Sequence, residues 1–210
     1  MEMATTATTA APAPVDGRRL RPERNRRAVV EAILDLLDQG VADPGVDVVA
    51  AAAGVSVRSV FRYFDDLDAL ALAAVERQVE RTYPLWAAPS AEGSLDQRIA
   101  ALVTQRQRLF EAIAPARRYA LRRSSAAAAI RAGLATSGRA LRAQVADQLA
   151  PELRRLAPAE RRVVLDALDT VAGWAAWEHL RTELGRSAGH TDRVTRHALR
   201  ALLAVDPPER

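Results

Sequence analysis

Apolar residues recur along this chain at the spacing of helices, from about residue 23 to residue 205. Val30, Ile33, Leu34 and Leu37 follow the i, i+3, i+4, i+7 rule, and Gly40 supplies a C-terminal stop, so the first helix is predicted from about Glu23 to Gln39. Beyond the turn VADPG, two short helical stretches, Val46 to Ala53 and Ser56 to Phe64, flank Gly54 in the manner of a helix-turn-helix. Asp65 or Asp66 caps the next helix, whose apolar positions Leu67, Leu70, Ala74 and Val79 run to about Arg81, with Pro84 near its end. Ser94 and Gln97 form a capping box before Leu95, Ile99, Leu102, Leu109 and Ile113, and Pro115 is expected to end that helix. Arg117 to Leu149 reads as two helices interrupted around Ser124 and Gly138, closed or kinked by Pro151. Two last helices, about Pro158 to Leu184 and Thr191 to Val205, are separated by GRSAGH.

No strand pattern and no internal repeat occurs, so the fold class is all-α with about nine helices. The predicted organisation is a disordered arm over residues 1–22, a three-helix unit over 23–66 and a larger helical domain over 67–206.

Within VDVVAAAAGVSVRSVFRYF, each role follows from packing and capping. Val49 and Ala50 lock the first helix, Ala53 permits close approach, and Gly54 takes a turn conformation that other residues resist. Val55 plugs the space between the helices. Ser56 caps the second helix and leaves free backbone N–H groups near where a phosphate would lie. Val60 and Phe64 are spaced to face inward, which leaves Val57, Arg58, Ser59 and Arg62 outward, towards a major groove. Arg58 is the candidate base reader, because a guanidinium engages guanine O6 and N7 together. Tyr63 is placed either to pack or to donate to a phosphate.

Charge sharpens this reading. All 30 basic residues are Arg, a bias of vocabulary that makes the pI near 10.4 weak evidence for nucleic acid by itself. Its distribution says more: Arg18, Arg19, Arg21, Arg24, Arg26 and Arg27 face only Glu23 in the stretch before Val30, a concentrated basic arm. Arg24 and Arg26 are its candidate DNA contacts, against the alternative of a solvated charge run.

The stretch from about Arg24 to Leu72 closely resembles the DNA-binding domain of the TetR family of transcriptional regulators, through Ala52, Ala53, Gly54, Val55, Ser56, Phe61, Tyr63, Phe64 and Leu70. The C-terminal WAAWEHLRTELGRS is similar to the penultimate helix of many such regulators. Two positions depart from the family: Phe61 stands where Tyr is usual and Leu67 where Lys is usual, and both usual residues reach phosphates. Loss of those contacts removes salt-dependent affinity, which the basic arm is placed to restore along the backbone or in the minor groove. The resemblance implies double-stranded DNA as partner, a homodimer, repression, and a small-molecule effector held among the C-terminal helices.

In that half, Trp86, Phe110, Tyr119, Trp174 and Trp177 are five of the nine aromatic residues, and each is a candidate either for core or for an effector pocket. Arg106 interrupts the stripe of Leu102 and Leu109, either to pair with an acidic effector, or to snorkel to the surface or form an internal ion pair. Helix 158–184 carries Val164, Leu168, Val171 and Ala175 on one face and Trp177, Leu180 and Leu184 on another. With Val194, Ala198, Ala201, Leu202 and Val205 of the last helix, this predicts a dimer built as a four-helix bundle across a two-fold, and hence a palindromic operator.

Other chemistry finds little support. Without cysteine there is no disulfide framework, thiolate zinc site or cysteine nucleophile, as suits a reducing cytoplasm. His179, His190 and His197 lack metal-ligand spacing, and GxSxG, P-loop and GxGxxG are missing, so no catalytic residue, metal or cofactor is expected. The Ala-, Thr- and Pro-rich start has neither a basic nor a strongly apolar signal region, and no run approaches a membrane span of about 18 to 20 apolar residues, so no membrane partner is expected. Two other readings stand beside a regulator: a small-molecule-binding protein whose helix-turn-helix has lost DNA affinity, and an enzyme with a polar constellation hidden in the C-terminal half.

Overall fold

The computed structural model describes residues 17–123 and 127–204, and within them the chain is all helical. In chain order the helices are α1 (Gly17–Asp38), α2 (Val46–Ala52), α3 (Val57–Tyr63), α4 (Leu67–Arg81), α5 (Leu95–Leu121), α6 (Ala127–Gln148), α7 (Ala150–Leu153), α8 (Pro158–Val171), α9 (Trp174–Glu178) and α10 (Ala188–Ala204). A 3-10 turn at Tyr83–Trp86 follows α4, and α9 runs on into a widened turn over His179–Glu183. No helix among the described residues is long and apolar enough to cross a membrane.

Local signals decide several of these boundaries. Asp66, rather than Asp65, caps α4, its Oδ1 accepting from the Ala69 N–H at 2.7 Å. The capping box of α5 forms in both directions between Ser94 and Gln97.

Elsewhere the helices run past or stop short of the expected limits. α1 begins at Gly17 instead of near Glu23, so the arginines from Arg18 to Arg27 ride on a helix; the rest of the expected disordered arm, residues 1–16, lies outside the described residues. Arg and Leu are good helix formers, and Pro22 forfeits only one backbone bond near the start. Pro115 lies inside α5 and does not end it. Its missing N–H leaves the Glu111 carbonyl without its helical donor, while the continuing turns bury Ala116, Tyr119 and Ala120. Gly138 likewise sits within an unbroken α6. The single helix expected over 158–184 is split at Gly173, where a Cβ would come 2.8 Å from the Asp169 carbonyl oxygen.

Three buried clusters result. The first joins Val29, Ile33, Leu34 and Leu37 of α1, Val49 of α2, Val60 of α3 and Phe64 with Leu70, Ala71 and Ala74 of α4 and Ala116, Tyr119 and Ala120 of α5. The core around α1–α3 therefore extends well past Asp66. The second cluster packs α5 against α6, α8 and α10 through Ile99, Leu102, Val145, Leu149, Leu168 and Leu199. The third holds Leu109, Phe110, Ile113 and Trp177.

A polar clamp ties α1 to α4. Glu31 accepts from Arg77 Nε at 2.6 Å and pairs with Arg81, which also reaches Asp35 at 3.0 Å. Burial pushes the Glu31 carboxyl up, but the hydrogen bonds and charges of Arg77 and Arg81 outweigh it and hold the group below its ordinary value. A depressed carboxyl stabilises the fold above its unfolded value and loses that contribution as pH falls through the folded one. Glu31→Gln should therefore be less stable than the parent by about 1 kcal/mol at neutral pH, the difference shrinking as pH falls through the lowered carboxyl value. Urea denaturation across that range checks this, and a pH-independent difference contradicts it.

Candidate nucleic-acid interface and effector cavity

The α2–α3 turn closes as a Schellman motif. Gly54 adopts φ +66°, the Gly54 N–H donates to the Ala51 carbonyl at 3.1 Å, and the Val55 N–H donates to the Ala50 carbonyl at 3.0 Å. Only glycine takes that φ without strain, so the sharp reversal between the helices is written at this residue. Ser56 then caps α3, its Oγ accepting from the Ser59 N–H at 3.1 Å and lying 3.0 Å from the Ser59 hydroxyl.

α3 seats itself through Val60 and Phe64, both buried. Arg58 and Arg62 are exposed, Val57 is 39 % exposed, and Ser59 is half-buried beside its cap. Tyr63 does both things its chemistry allows. Its ring packs on the first cluster, and its hydroxyl accepts from Arg62 Nη2 at 2.9 Å and Asn25 Nδ2 at 3.3 Å. Those two bonds, Arg62 first, hold the phenol below its ordinary value. Arg24 and Arg26 are exposed on α1, and the Arg26 guanidinium lies 4.8 Å over the Phe64 ring. Arg26, lying over the buried Phe64, Arg62 and Tyr63 thus form a basic surface with one aromatic joining α1 to α3.

The two departures noted in the sequence take different roles. Leu67 packs against the first cluster, whereas Phe61 is 48 % exposed on the outer face of α3. With Val57 one turn earlier it makes an apolar strip beside Arg58 and Arg62. Phe61 is a surface residue beyond those expected to face a groove, and its signal in the sequence is its spacing from Val57 on a helix whose inward face Val60 and Phe64 already fill.

In the C-terminal half, Trp86, Arg106, Phe110 and Trp174 come together around a cavity of about 600 Å³. Its neighbour, about 460 Å³, reaches α4 through Leu72, Val75, Gln78 and Val79. Both are of a size that holds small molecules. Trp86, Ile113, Arg117, Leu134 and Ser137 line both, so the two spaces are adjoining lobes. Phe110 meets Trp174 edge-on, with ring centres 5.7 Å apart at 84°.

The other two effector candidates lie elsewhere. Tyr119 is buried in the first cluster, beneath α1–α4, because α5 continues beyond Pro115 and carries it there. Trp177 sits in the third cluster and donates from Nε1 to Gln107 Oε1 at 3.1 Å. Conversely, Arg117 was not singled out. It shares a helical face with Arg106, Phe110 and Ile113, a phase hidden by the expectation that Pro115 ends the helix.

Arg106 is buried and donates to Gln144 Oε1 at 2.7 Å, to the Leu141 carbonyl at 2.8 Å and to Gln105 Oε1. Among the described residues it forms no ion pair within 4.0 Å, so its partners are neutral. Burial lowers it to about 10, against the opposing influence of Asp169.

Of the residues expected at a dimer interface, Val171 and Leu202 pack against the chain's own second cluster. Leu180, Val194 and Ala198 are half-buried, and Ala175 and Ala201 are exposed. The break at Gly173 also means that the second apolar face expected on one long helix belongs to a separate helix, whose Trp177 is covered within the same chain.

No family model matches the sequence, and no curated protein is significantly similar to it. Solved structures are similar in three dimensions. A TetR-family transcriptional regulator from Streptomyces coelicolor superposes with a TM-score of 0.63 at 20% identity, over 86% of this chain and 80% of that one. A TetR-family regulator from Mesorhizobium loti MAFF303099 gives 0.56 at 17% identity, over 88% of this chain and 97% of that one. The multidrug binding protein EbrR, solved with imidazole, gives 0.54 at 20% identity, over 90% and 97%. This chain has the TetR-regulator fold.

Within that fold the cap of α3 is a point of measurable dependence. Ser56→Ala should lower stability by about 1 kcal/mol, whereas Ser56→Asp should retain most of it. Equal losses for the two in thermal denaturation would show that the Ser56 side chain does not act as a cap.

Proposed function

We propose that this protein is a DNA-binding transcriptional regulator, a homodimer that occupies a palindromic operator and is released by a small-molecule effector. The observation carrying this reading is the capped α3 on its Schellman turn, with Arg58 and Arg62 exposed and Arg26 and Tyr63 beside them. In this reading Arg58 reads a base edge, and Arg24, Arg26, Arg62 and Tyr63 follow phosphates. The hydroxyl of Tyr63 accepts from two donors, which keeps its own proton available for an acceptor.

The effector's route to DNA is supported by how α4 and α5 divide their faces. Leu70, Ala71 and Ala74 of α4 enter the core of the DNA-binding unit, while Leu72, Val75 and Val79 line the cavity. On α5, Tyr119 and Ala120 enter that core, and Arg106, Phe110, Ile113 and Arg117 line the cavity. A ligand that fits one spacing of these helices better than another shifts the population of recognition-helix separations. Repression follows in this reading from occupancy of a promoter. The location is cytoplasmic, with the DNA.

A second reading, a ligand-binding protein with little DNA affinity, is favoured by Phe61 and Leu67, which offer no hydrogen bond to a phosphate. Gel retardation on the DNA upstream of the protein's own gene, over a salt series, separates the two. Under the regulator reading, Arg58→Ala weakens specific binding roughly 10- to 100-fold and relaxes one operator position. Arg24→Ala weakens all sequences alike and flattens the salt slope by about one unit. No retarded complex at any salt supports the second reading, and a monomer in sedimentation at micromolar concentration rules out the dimer.

A further inference from the structure

The cavity's electrostatics contrast with its apolar walls. Four arginines, Arg106, Arg117, Arg139 and Arg142, line the larger lobe against one carboxylate, Asp169. That carboxylate is already engaged, 3.5 Å from Arg142 Nη1. Arg117 stands at the neck between the lobes, its guanidinium 4.2 Å over the Trp174 ring. Among the described residues it forms no ion pair within 4.0 Å, and its buried Nε has no hydrogen-bond partner. Glu178, whose charge acts on it, is held by Arg118 at 2.8 and 2.7 Å. Burial lowers Arg117 to about 10, with Glu178 opposing.

The smaller lobe is different. Beyond the neck its walls are Leu72, Val75, Val79 and Ala116 with the one buried polar side chain Gln78, Ile113 and Leu134 continue from the neck, and the charged Glu76 lies at its exposed side. At Gly133 a Cβ would meet nothing within 4 Å, so the wall of α6 is open there.

Resting on the reading of this cavity as an effector site, we infer that the effector is an organic anion whose carboxylate meets Arg117 at the neck and whose apolar body fills the lobe against α4. A carboxylate there restores the solvation that burial took from Arg117 and supplies the acceptor its Nε lacks. The apolar body gains by leaving water for the aliphatic walls. Arg106 lies eleven residues earlier on α5, about 16 Å along the axis, and contributes positive potential from the far end of the larger lobe. An amine of the same shape meets repulsion from both arginines. Filling the α4 lobe also places the ligand against the helix whose opposite face shares a core with α1 and α3.

The test is titration calorimetry on the full chain with benzoate, 2-naphthoate and dodecanoate, each beside its primary amide, and with 2-naphthylmethylamine as the cationic control. At least one carboxylate is expected to bind ten-fold or more tightly than its amide, with no detectable binding of the amine. Arg117→Gln should collapse that preference to about unity while leaving the amide's affinity within a few-fold. Gly133→Leu, which fills the α4 lobe, should abolish binding; Gly138→Leu, in the larger lobe, should leave most of it. Circular dichroism establishes that each variant is folded, and the carboxylate-to-amide ratio of the parent needs no variant. The inference is overturned if no carboxylate outbinds its amide, if the amine binds as well, or if Arg117→Gln keeps the preference. Carboxylate binding without gel retardation would instead leave the inference standing and defeat the regulator reading.

Discussion

The packing of α4 against α5 is the contact on which the rest of the molecule depends. Each helix is apolar on two faces, and each face is covered by something different. Towards the N-terminal unit, Leu70, Ala71 and Ala74 interlock with Tyr119 and Ala120 around Ile33, Leu34 and Phe64. On the other side, the same two helices wall a cavity. Interiors are close-packed and do not deform continuously, so a change of α4 against α5 at the cavity cannot leave the first core untouched. The clamp from Glu31 to Arg77 and Arg81 fastens α1 to the same α4, extending that rigidity to the helix carrying Arg24 and Arg26.

Two kinds of polar burial serve different ends here. Arg98 is buried with its counter-charge, donating to Glu152 at 2.6 and 3.0 Å and to the Gln148 carbonyl, and it joins the start of α5 to the end of α6 and to α7. Arg106 is buried and Arg117 half-buried with its Nε enclosed, and among the described residues neither has a counter-charge within 4.0 Å. Leaving a guanidinium partly desolvated opposes folding, which makes such residues costly as structure and useful as recognition. Their common position on a cavity wall, one held by neutral acceptors and the other stacked on indole, is what separates them from Arg98.

Much of this was legible in the sequence because the chemistry is local. Gly54 and Ser56 determine the turn and the start of α3 within a few residues, whatever surrounds them. Val60 and Phe64 face inward by spacing alone. Asp66, Ser94 and Gln97 announce helix starts, and the periodicity of α1, α4 and the first turns of α5 identifies their buried faces. Of the six effector candidates only Arg106 stands out in the sequence as at odds with a plain core, and the fold gathers it with Trp86, Phe110 and Trp174 but not with Tyr119 or Trp177.

Tertiary structure decided where local preference is weak or outweighed. A proline inside a helix forfeits a bond, and whether the helix survives depends on what the next turns bury; for α5 that is Tyr119, which placed an expected effector residue under the N-terminal helical unit and brought Arg117 into the cavity. Gly138 leaves a helix intact because α6 is held by its neighbours, while at Gly173 the backbone turns extended where a side chain would strike the Asp169 carbonyl. The sequence by itself determined the all-helical class, the turn and the cap, since these rest on spacing and on side chains bonding their own backbone. The cavity, the charge left unpaired in it and the shared face of α4 and α5 arise only when distant segments exclude water together, and no window of sequence contains that condition.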